Sequence, residues 1–325
     1  MSREFLISIC IPIYNGEDTL RQLIDSIIHN VADYKNIEVV ISDNKSTDKT
    51  IEIINEYSIP NLNLVLLDQN EGFVNNIISC ISRSNGRFIT FMGHDDILVS
   101  VDKMIEMSKW MINNDISLCS SDIDIFIDNA DNIINKAKFS RGTFVYDESY
   151  LASIGEVWIN SALASLGGWL VNRHSLLSLD LDSIPKVSIY PEYYIGYKII
   201  AKNFKIGGYE TVFYAQRLTN NDHQLANLQY TSLRYFKDFY SLVDEFAENI
   251  SDEGVRRCFG NLVASNLVSL KSFGCSSKEL FMFLLKQVGF KYLSIKYYPV
   301  LFLVILMPSS ILKFSLSIYR LISKK

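Results

Sequence analysis

Residues 6–15 read LISICIPIYN, a nearly unbroken run of apolar and β-branched residues that ends in a polar turn at Tyr14-Asn15. Such a run predicts a strand that is buried on both faces, as in a parallel sheet. A second apolar strand over residues 37–41 runs into Ser42-Asp43-Asn44. Because the carboxyl ends of parallel strands border the ligand crevice of an open α/β sheet, we expect both polar ends to face one ligand.

Strand and helix signals alternate through the first 120 residues of the chain. This alternation favours repeated strand–helix–strand units and a mostly parallel sheet flanked by helices. Helical spacing of apolar residues predicts helices, and compact β-branched runs predict further strands. The predicted helices are 18–28, capped by Asp18, 46–57, 73–82 and 101–113, and the further strands are 62–67, 88–92 and 116–119.

The rest of the chain has weaker periodicity. We expect a helix over 194–203 and a pair of strands over 204–214, broken at Gly207-Gly208. With 325 residues, the chain can form one large α/β domain and an appendage. The expected divisions are an α/β domain over 1–218, a helical extension over 219–290 and basic apolar helices over 291–325.

Charge is divided unevenly along the chain, whose net charge is −5. Seven of the 31 basic residues lie between Leu280 and Lys325, a segment without Asp or Glu, so the rest of the chain holds all 36 acidic residues. A basic, apolar tail suits an anionic membrane surface, and an acidic body argues against a nucleic acid partner. Pro308 interrupts the apolar run 297–322, which favours short interfacial helices, with a membrane span or a protein-core helix as alternatives.

Cysteine usage bears on the compartment. The five cysteines show neither paired nor metal-ligand spacing, and the first 13 residues lack the features of a signal peptide. These observations indicate a reducing cytosol. Together with the tail, they predict a peripheral or monotopic protein on the cytoplasmic face of the cell membrane.

Two further polar clusters follow predicted strands. Asn70-Glu71-Gly72 comes after the third strand, and Gly93-His94-Asp95-Asp96 comes after the fourth. Several strands therefore deliver acids and amides to one edge of the sheet, which suggests a nucleotide and metal site.

These clusters together resemble the motifs of family 2 glycosyltransferases, and the likeness extends over about residues 5–215. The motifs are Pro12-Ile13-Tyr14-Asn15, Ser42-Asp43-Asn44 with Ser46-Thr47-Asp48, Asn70-Glu71-Gly72 and the strand end Asp95-Asp96. The resemblance implies the Rossmann-like GT-A fold, here with a C-terminal helical, membrane-associated extension. It implies inverting transfer of a sugar from a nucleotide-sugar donor to a hydroxyl of a glycan or polyprenyl-linked acceptor, as in bacterial surface-polysaccharide or O-antigen synthesis. It also implies a divalent metal, Mn²⁺ or Mg²⁺.

The resemblance assigns Asp43 to hydrogen bonding with the nucleotide base, beside the turn after the first strand. The full set of implied nucleotide-binding residues is Pro12, Tyr14, Asn15, Asp43, Asn70, Gly93 and His94. The alternative for Asp43 is a turn or helix-capping acid near Ser46.

Asp95 matches the second acid of the family's Asp-x-Asp metal motif, in which a divalent ion bridges a carboxylate and the diphosphate. This chain departs from the motif, because Gly93 replaces the first acid and His94 fills the middle position. His223 is a second metal or diphosphate candidate by resemblance, with a surface-loop role as the alternative. Asp95 and Asp96 could instead cap the next helix.

The family's catalytic base lies at the start of a helix beside the acceptor, and Glu192 occupies the matching position. Pro191 stands where the family has the first acid of a Glu-Asp pair. The alternative for Glu192 is an acid that is favoured by the helix dipole. Asp122 and Asp124 are further candidates for the base.

Asp96 and Trp169 are assigned to support of the acceptor or of the metal loop. The Trp169 ring could stack on a sugar or pack in the core, and Arg217 could contact phosphate. Two other function classes compete with the transferase: a non-catalytic, membrane-bound nucleotide-sugar-binding protein, and a nucleotidyltransferase. The second would need a basic, Gly-rich phosphate loop, which the sequence lacks.

Overall fold

The computed structural model describes residues 5–127, 133–137, 142–146, 166–186, 191–202, 204–218, 241 and 277–283. The chain divides into two compact units, Met1–Glu148 with Trp158–Thr219 and Ser149–Val157 with Asn220–Lys325. His223 and the tail helices expected over 291–325 lie outside the described residues. Among the helices that are described, none has the length and hydrophobicity needed to cross a bilayer.

The first unit begins with alternating strands and helices, as the apolar spacing predicts. In chain order these are β1 Ile7–Ile13, α1 Leu20–Val31, β2 Ile37–Asp43, α2 Thr50–Glu56, β3 Leu62–Leu66, α3 Phe73–Arg83, β4 Phe88–Phe91, β5 Ile97–Leu98 and α4 Val101–Asn114. The elements that follow are β6 Leu118–Phe126, β7 Ile133–Ala137, β8 Phe144–Tyr146, β9 Trp169–Asn172, α5 Arg173–Leu177, α6 Pro191–Ala201 and β10 Ile206–Arg217. In the second unit, α7 covers Ser277–Phe283.

The described strands form one mixed sheet in the order β3-β2-β1-β4-β9-β6-β10-β5, with β7 paired to β6 and β8 paired to β10. β1 runs parallel to β2 and β4, and β6 runs parallel to β10. β9 is antiparallel to both β4 and β6, so those two strands point in the same direction. The carboxyl ends of β1, β2, β4, β6 and β10 therefore lie along one edge of the sheet.

The core explains why these segments form these elements. Every residue of β1 and β2 is buried, as expected for strands covered on both faces. α1 buries one apolar stripe at helical spacing, namely Leu20, Leu23, Ile24, Ile27 and Val31. Full burial of one such side chain contributes about 1.5–3 kcal/mol, so this stripe is the main force that holds α1 on the sheet.

Two local predictions are corrected by the structure. Asp18 does not cap α1, which begins after Thr19 without a side-chain cap. The segment around Gly207-Gly208 is continuous in β10 rather than broken into two strands. A Cβ at Gly207 would lie 3.0 Å from side-chain atoms of both Ile116 and Trp110. The glycine therefore permits close packing against the end of α4 and does not mark a turn.

Candidate active site

The first part of the candidate site lies where β2 ends. Asp43 is 3% exposed and accepts hydrogen bonds from the backbone N–H of Ser46 at 3.0 Å and from the Ser46 hydroxyl. The turn-acid role considered from the sequence is therefore present. A carboxylate has about four acceptor positions, and Ser46 fills two of them, which leaves acceptor capacity for the N–H groups of a base.

The turn after β1 is held against the turn after β2. Asn15 adopts a left-handed conformation with φ of 52°, and its backbone N–H donates to the Ser46 hydroxyl at 2.9 Å. The Thr47 backbone N–H donates to Asn15 Oδ1 at 2.8 Å. Pro12 is buried as the register partner of Ser42, whereas the Tyr14 side chain is exposed. The paired turns thus leave one aromatic ring accessible at the carboxyl edge of the sheet.

Asn70 holds the loop after β3 against the turn after β2. Its Oδ1 accepts from Asn44 Nδ2 and from the Gly72 backbone N–H, both at 3.0 Å. Asn44 Oδ1 in turn accepts from the Glu71 backbone N–H at 2.8 Å. Three strand ends that are distant in sequence are therefore joined by side-chain amides.

The loop after β4 is fixed by Asp96. This buried carboxylate accepts hydrogen bonds from the Gly93 backbone N–H at 2.9 Å, the Arg217 backbone N–H at 3.1 Å and the Tyr214 hydroxyl. Tyr214 and Arg217 belong to β10, so Asp96 connects the loop to a strand more than 100 residues away. Because most acceptor positions of the Asp96 carboxylate are used within the fold, the structure favours a role in supporting the loop after β4.

Asp95 has the opposite environment. It is partly exposed, and its carboxylate accepts no hydrogen bond from the described part of the chain. The same part of the chain holds no group of three His, Cys, Asp or Glu residues that could bind a metal. A single carboxylate at this edge fits an ion held mainly by substrate phosphates and water, which is how Mg²⁺ is commonly bound.

Gly93, which replaces the first acid of the metal motif, sits where a side chain has no room. A Cβ there would lie 2.6 Å from Asp96 Oδ2 and 2.7 Å from Asp95 Oδ1. The two following carboxylates thus occupy the space in which an acid at position 93 would begin.

An acid at position 93 is therefore expected to lower the stability of the protein. Gly93→Asp should lower the free energy of unfolding by about 1–3 kcal/mol, the usual cost of overpacking, without tightening Mn²⁺ binding. Urea denaturation and Mn²⁺ titration measure the two effects. Gly93→Ala is the matched control, because it introduces the clash without the charge. A Gly93→Asp protein as stable as the wild type, with tighter Mn²⁺ binding, would contradict this explanation.

Asp96 also predicts a pH dependence of stability. Burial, and next the neighbouring Asp95 carboxylate, raise the pKa of Asp96 from 3.8 to about 7, against the opposing effect of its hydrogen bonds. An acid with a raised pKa contributes stability at low pH that is lost as the pH rises through about 7. We expect a loss of at most about 4 kcal/mol in the free energy of unfolding between about pH 4 and pH 7.

Asp96→Asn should flatten this decline, and the exposed Asp68→Asn should leave it unchanged. Urea denaturation at several pH values measures the slope. An equal slope in wild type and Asp96→Asn would assign the pH dependence to other groups.

His94 and Arg217 are both engaged within the fold. His94 Nδ1 lies 3.0 Å from the Thr19 hydroxyl, and this contact joins the loop after β4 to the residue before α1. Arg217 donates from Nε to the Asp95 carbonyl oxygen at 2.9 Å and from Nη2 to Gln22, and its guanidinium lies 4.8 Å from the centroid of the Phe126 ring. The Arg217 side chain thus supports the loop and is poorly placed to bind phosphate.

Glu192 lies in the first turn of α6 and is 6% exposed. Of the two other candidate bases, Asp122 is buried in β6, and Asp124 forms an ion pair with Lys136 at 3.6 Å.

Trp169 requires a correction. It is fully buried in β9, and its ring centroid lies 5.4 Å from that of Phe91. A sugar cannot stack on this ring, so the core-packing alternative for Trp169 is the correct one. Tyr214 and Thr19, which contact Asp96 and His94, were not identified from the sequence. Neither residue carries a local motif, since each acts through a contact between distant segments.

A search of protein families matches residues 8–151 to glycosyl transferase family 2. Among curated relatives, the abequosyltransferase RfbV of Salmonella typhimurium is 36% identical over 121 residues, which are 35% of this chain and 35% of that protein. The Escherichia coli UDP-Glc:alpha-D-GlcNAc-diphosphoundecaprenol beta-1,3-glucosyltransferase WfgD is 28% identical over 127 residues, 39% of this chain and 49% of that protein. The chain thus matches less than half the length of each of these relatives.

Solved structures share the fold at low sequence identity. Staphylococcus aureus TarS 1–349 in complex with UDP-GlcNAc has a TM-score of 0.65 and 15% identity, over 92% of this chain and 87% of that one. The mannosyltransferase PcManGT of Pyrobaculum calidifontis, in complex with GDP-Man and Mn²⁺, has a TM-score of 0.58 and 13% identity, over 92% and 79%. Residues 8–151, which carry the strand-end motifs, thus match the glycosyl transferase family 2 model, and the chain shares the GT-A fold of these neighbours.

Proposed function

We propose that the protein is an inverting glycosyltransferase that moves a sugar from a nucleotide sugar to a hydroxyl of a lipid-linked glycan in bacterial surface-polysaccharide synthesis. One observation carries the proposal: Asp43 and Asp95 follow β2 and β4, the two strands on either side of β1, at the same edge of the sheet. One site can therefore hold both ends of a nucleoside diphosphate.

The relatives support the substrate classes. The name of the Escherichia coli relative specifies a UDP-Glc donor and an acceptor on diphosphoundecaprenol, and the Salmonella relative is an abequosyltransferase. Two structural neighbours are bound to nucleotide sugars, one of them with Mn²⁺. These names favour a nucleotide-sugar donor, a divalent ion and an acceptor on a polyprenyl lipid for this chain.

Each part of the donor has residues to receive it. The remaining acceptor positions of Asp43 can bind N–H groups of the base, and the exposed Tyr14 ring is available for stacking. The open Asp95 carboxylate would hold Mn²⁺ or Mg²⁺ at the diphosphate. When bound, the ion would neutralise negative charge on the leaving group.

Glu192 is the proposed catalytic base. The acceptor oxygen forms a bond to the anomeric carbon as the bond from that carbon to the diphosphate oxygen breaks. The hydroxyl proton passes to the Glu192 carboxylate, and the nucleoside diphosphate leaves. This single in-line displacement inverts the configuration of the sugar.

We further propose that the basic tail holds the protein on the cytoplasmic face of the membrane, near its acceptor. A variant that lacks residues 291–325 should lose most of its binding to vesicles that contain anionic lipid. A vesicle flotation assay measures this, with neutral vesicles as the control. Unchanged flotation of the truncated protein would place the anchor elsewhere.

The test of the transferase is nucleotide release from UDP-, GDP-, CDP- and dTDP-sugars, with and without Mn²⁺, in the presence of membrane extract as acceptor. We expect release from one donor that depends on both the extract and Mn²⁺. Gly93 in place of the motif acid specifically favours the competing function, a non-catalytic nucleotide-sugar-binding protein. Tight donor binding without release, also with purified lipid-linked acceptors, would support that function.

A further inference from the structure

A pocket lies at the opposite edge of the sheet from the candidate active site. Its volume is about 410 Å³, within the range of small-molecule sites, and it is placed where β1 and β4 begin and β9 ends. The six residue steps of β1 separate the two edges by about 20 Å, at roughly 3.3 Å per step. The lining residues are Phe5, Asn85, Gly86, Arg87, Asn172, Arg173, His174 and Leu177.

Backbone pairing places two arginines side by side in this lining. The Arg173 backbone N–H donates to the Arg87 carbonyl oxygen at 2.9 Å, and the Arg87 backbone N–H donates to the Phe5 carbonyl oxygen at 3.0 Å. The strand ladder thus continues past β4 and fixes both arginines at its edge. Like charges on neighbouring strands repel each other, so this arrangement calls for compensation.

Among the described residues the only such compensation for these two arginines is the Phe88 ring, whose centroid lies 5.8 Å from the Arg87 guanidinium. Neither arginine forms an ion pair there, and Arg173 Nε is buried without a hydrogen-bond partner among the described residues. The lining adds His174 and includes no acid. The nearby Glu38 carboxylate is already used, since it accepts from the Ser8 hydroxyl at 2.6 Å and from the backbone N–H of Asn85 at 2.8 Å.

We propose that this pocket binds a phosphate group through Arg87 and Arg173. A guanidinium presents a planar fork of N–H donors that matches phosphoryl oxygens, and two adjacent forks can satisfy one dianion. An anion here would also give the buried Arg173 Nε–H the acceptor that it lacks. Phosphate recognition is the same for a free phosphate ester and for a phospholipid headgroup, so the experiment separates the two sources.

The test uses the full chain and titration calorimetry with inorganic phosphate. A second arm measures flotation with phosphatidylcholine vesicles, with and without phosphatidylglycerol. The variants are Arg87→Gln alone and Arg87→Gln with Arg173→Gln. Lys109→Gln on the exposed side of α4 is the control for the loss of one positive charge. Because the candidate active site is proposed to hold phosphoryl groups through a divalent ion, the titration is run in EDTA, which excludes that contribution.

We expect the double variant to bind phosphate at least about tenfold more weakly, with Lys109→Gln close to wild type. If the double variant loses binding only to the vesicles that contain phosphatidylglycerol, the phosphate group belongs to a lipid headgroup. Equal binding by wild type and double variant in both arms would overturn the proposal. If the double variant does not fold, the single change at the exposed Arg87 provides the same comparison.

Discussion

Glu192→Gln is expected to lower kcat by about 10²–10⁴-fold, the usual contribution of a general base. The glutamine preserves the size of the side chain in the first turn of α6 but cannot take the acceptor proton. Because Glu192 is assigned to the chemical step, the KM for the donor should change by no more than about twofold. Steady-state nucleotide release with the preferred donor measures both constants.

Asp122→Asn is the matched comparison, because Asp122 is another buried acid of the same domain and a candidate base. Its kcat should stay within about tenfold of wild type if Glu192 is the base. A large loss of kcat with Asp122→Asn and a small one with Glu192→Gln would instead identify Asp122 in β6 as the base. Circular dichroism of each variant shows whether a loss of activity reflects unfolding.

Asp95→Asn is expected to lower Mn²⁺-dependent turnover by about 10²–10³-fold, the scale of losing one group that stabilises transition-state charge. In the metal loop, Asp95 has a carboxylate that is partly exposed and not consumed by hydrogen bonds, whereas that of Asp96 is buried and bonded. The concentration of Mn²⁺ needed for half-maximal activity should also rise. Activity measured across a Mn²⁺ titration shows both effects.

Asp68→Asn removes the same charge from an exposed position just after β3, at the same edge of the sheet. It should leave the Mn²⁺ dependence of activity unchanged. This control separates direct binding of the ion from the effect of removing one negative charge at this edge of the sheet. An unaltered Mn²⁺ requirement in Asp95→Asn would exclude Asp95 as the residue that holds the ion.

The first half of the fold is predictable because its signals are local. Buried β-branched runs and helical stripes place β1 to β4 and α1 to α4 within a few residues of their observed bounds. The insertion of antiparallel β9 between β4 and β6 could not be predicted in this way. Its position depends on pairing with residues that lie 49 to 84 positions earlier in the chain.

The candidate site shows the same division between local and distant information. Motif spacing locates Asp43 and Asp95 at strand ends, and the fold brings those ends to one edge. The contrast between a bonded Asp96 and an open Asp95 arises from Tyr214 and Arg217 on β10, which no local pattern connects to this loop. The sequence left Trp169 open between sugar stacking and core packing, because its burial depends on a distant contact: Gly168 allows the chain to pass close to Ile123.

The central claim is that Asp43 and Asp95 hold the two ends of one nucleoside diphosphate, and calorimetric titration of that nucleotide tests it most directly. Asp43→Asn should weaken binding about equally with and without Mn²⁺, and Ser46→Ala controls for disturbance of the turn. Asp95→Asn should remove only the part of the affinity that depends on Mn²⁺. Unchanged nucleotide affinity in both aspartate variants would contradict the claim.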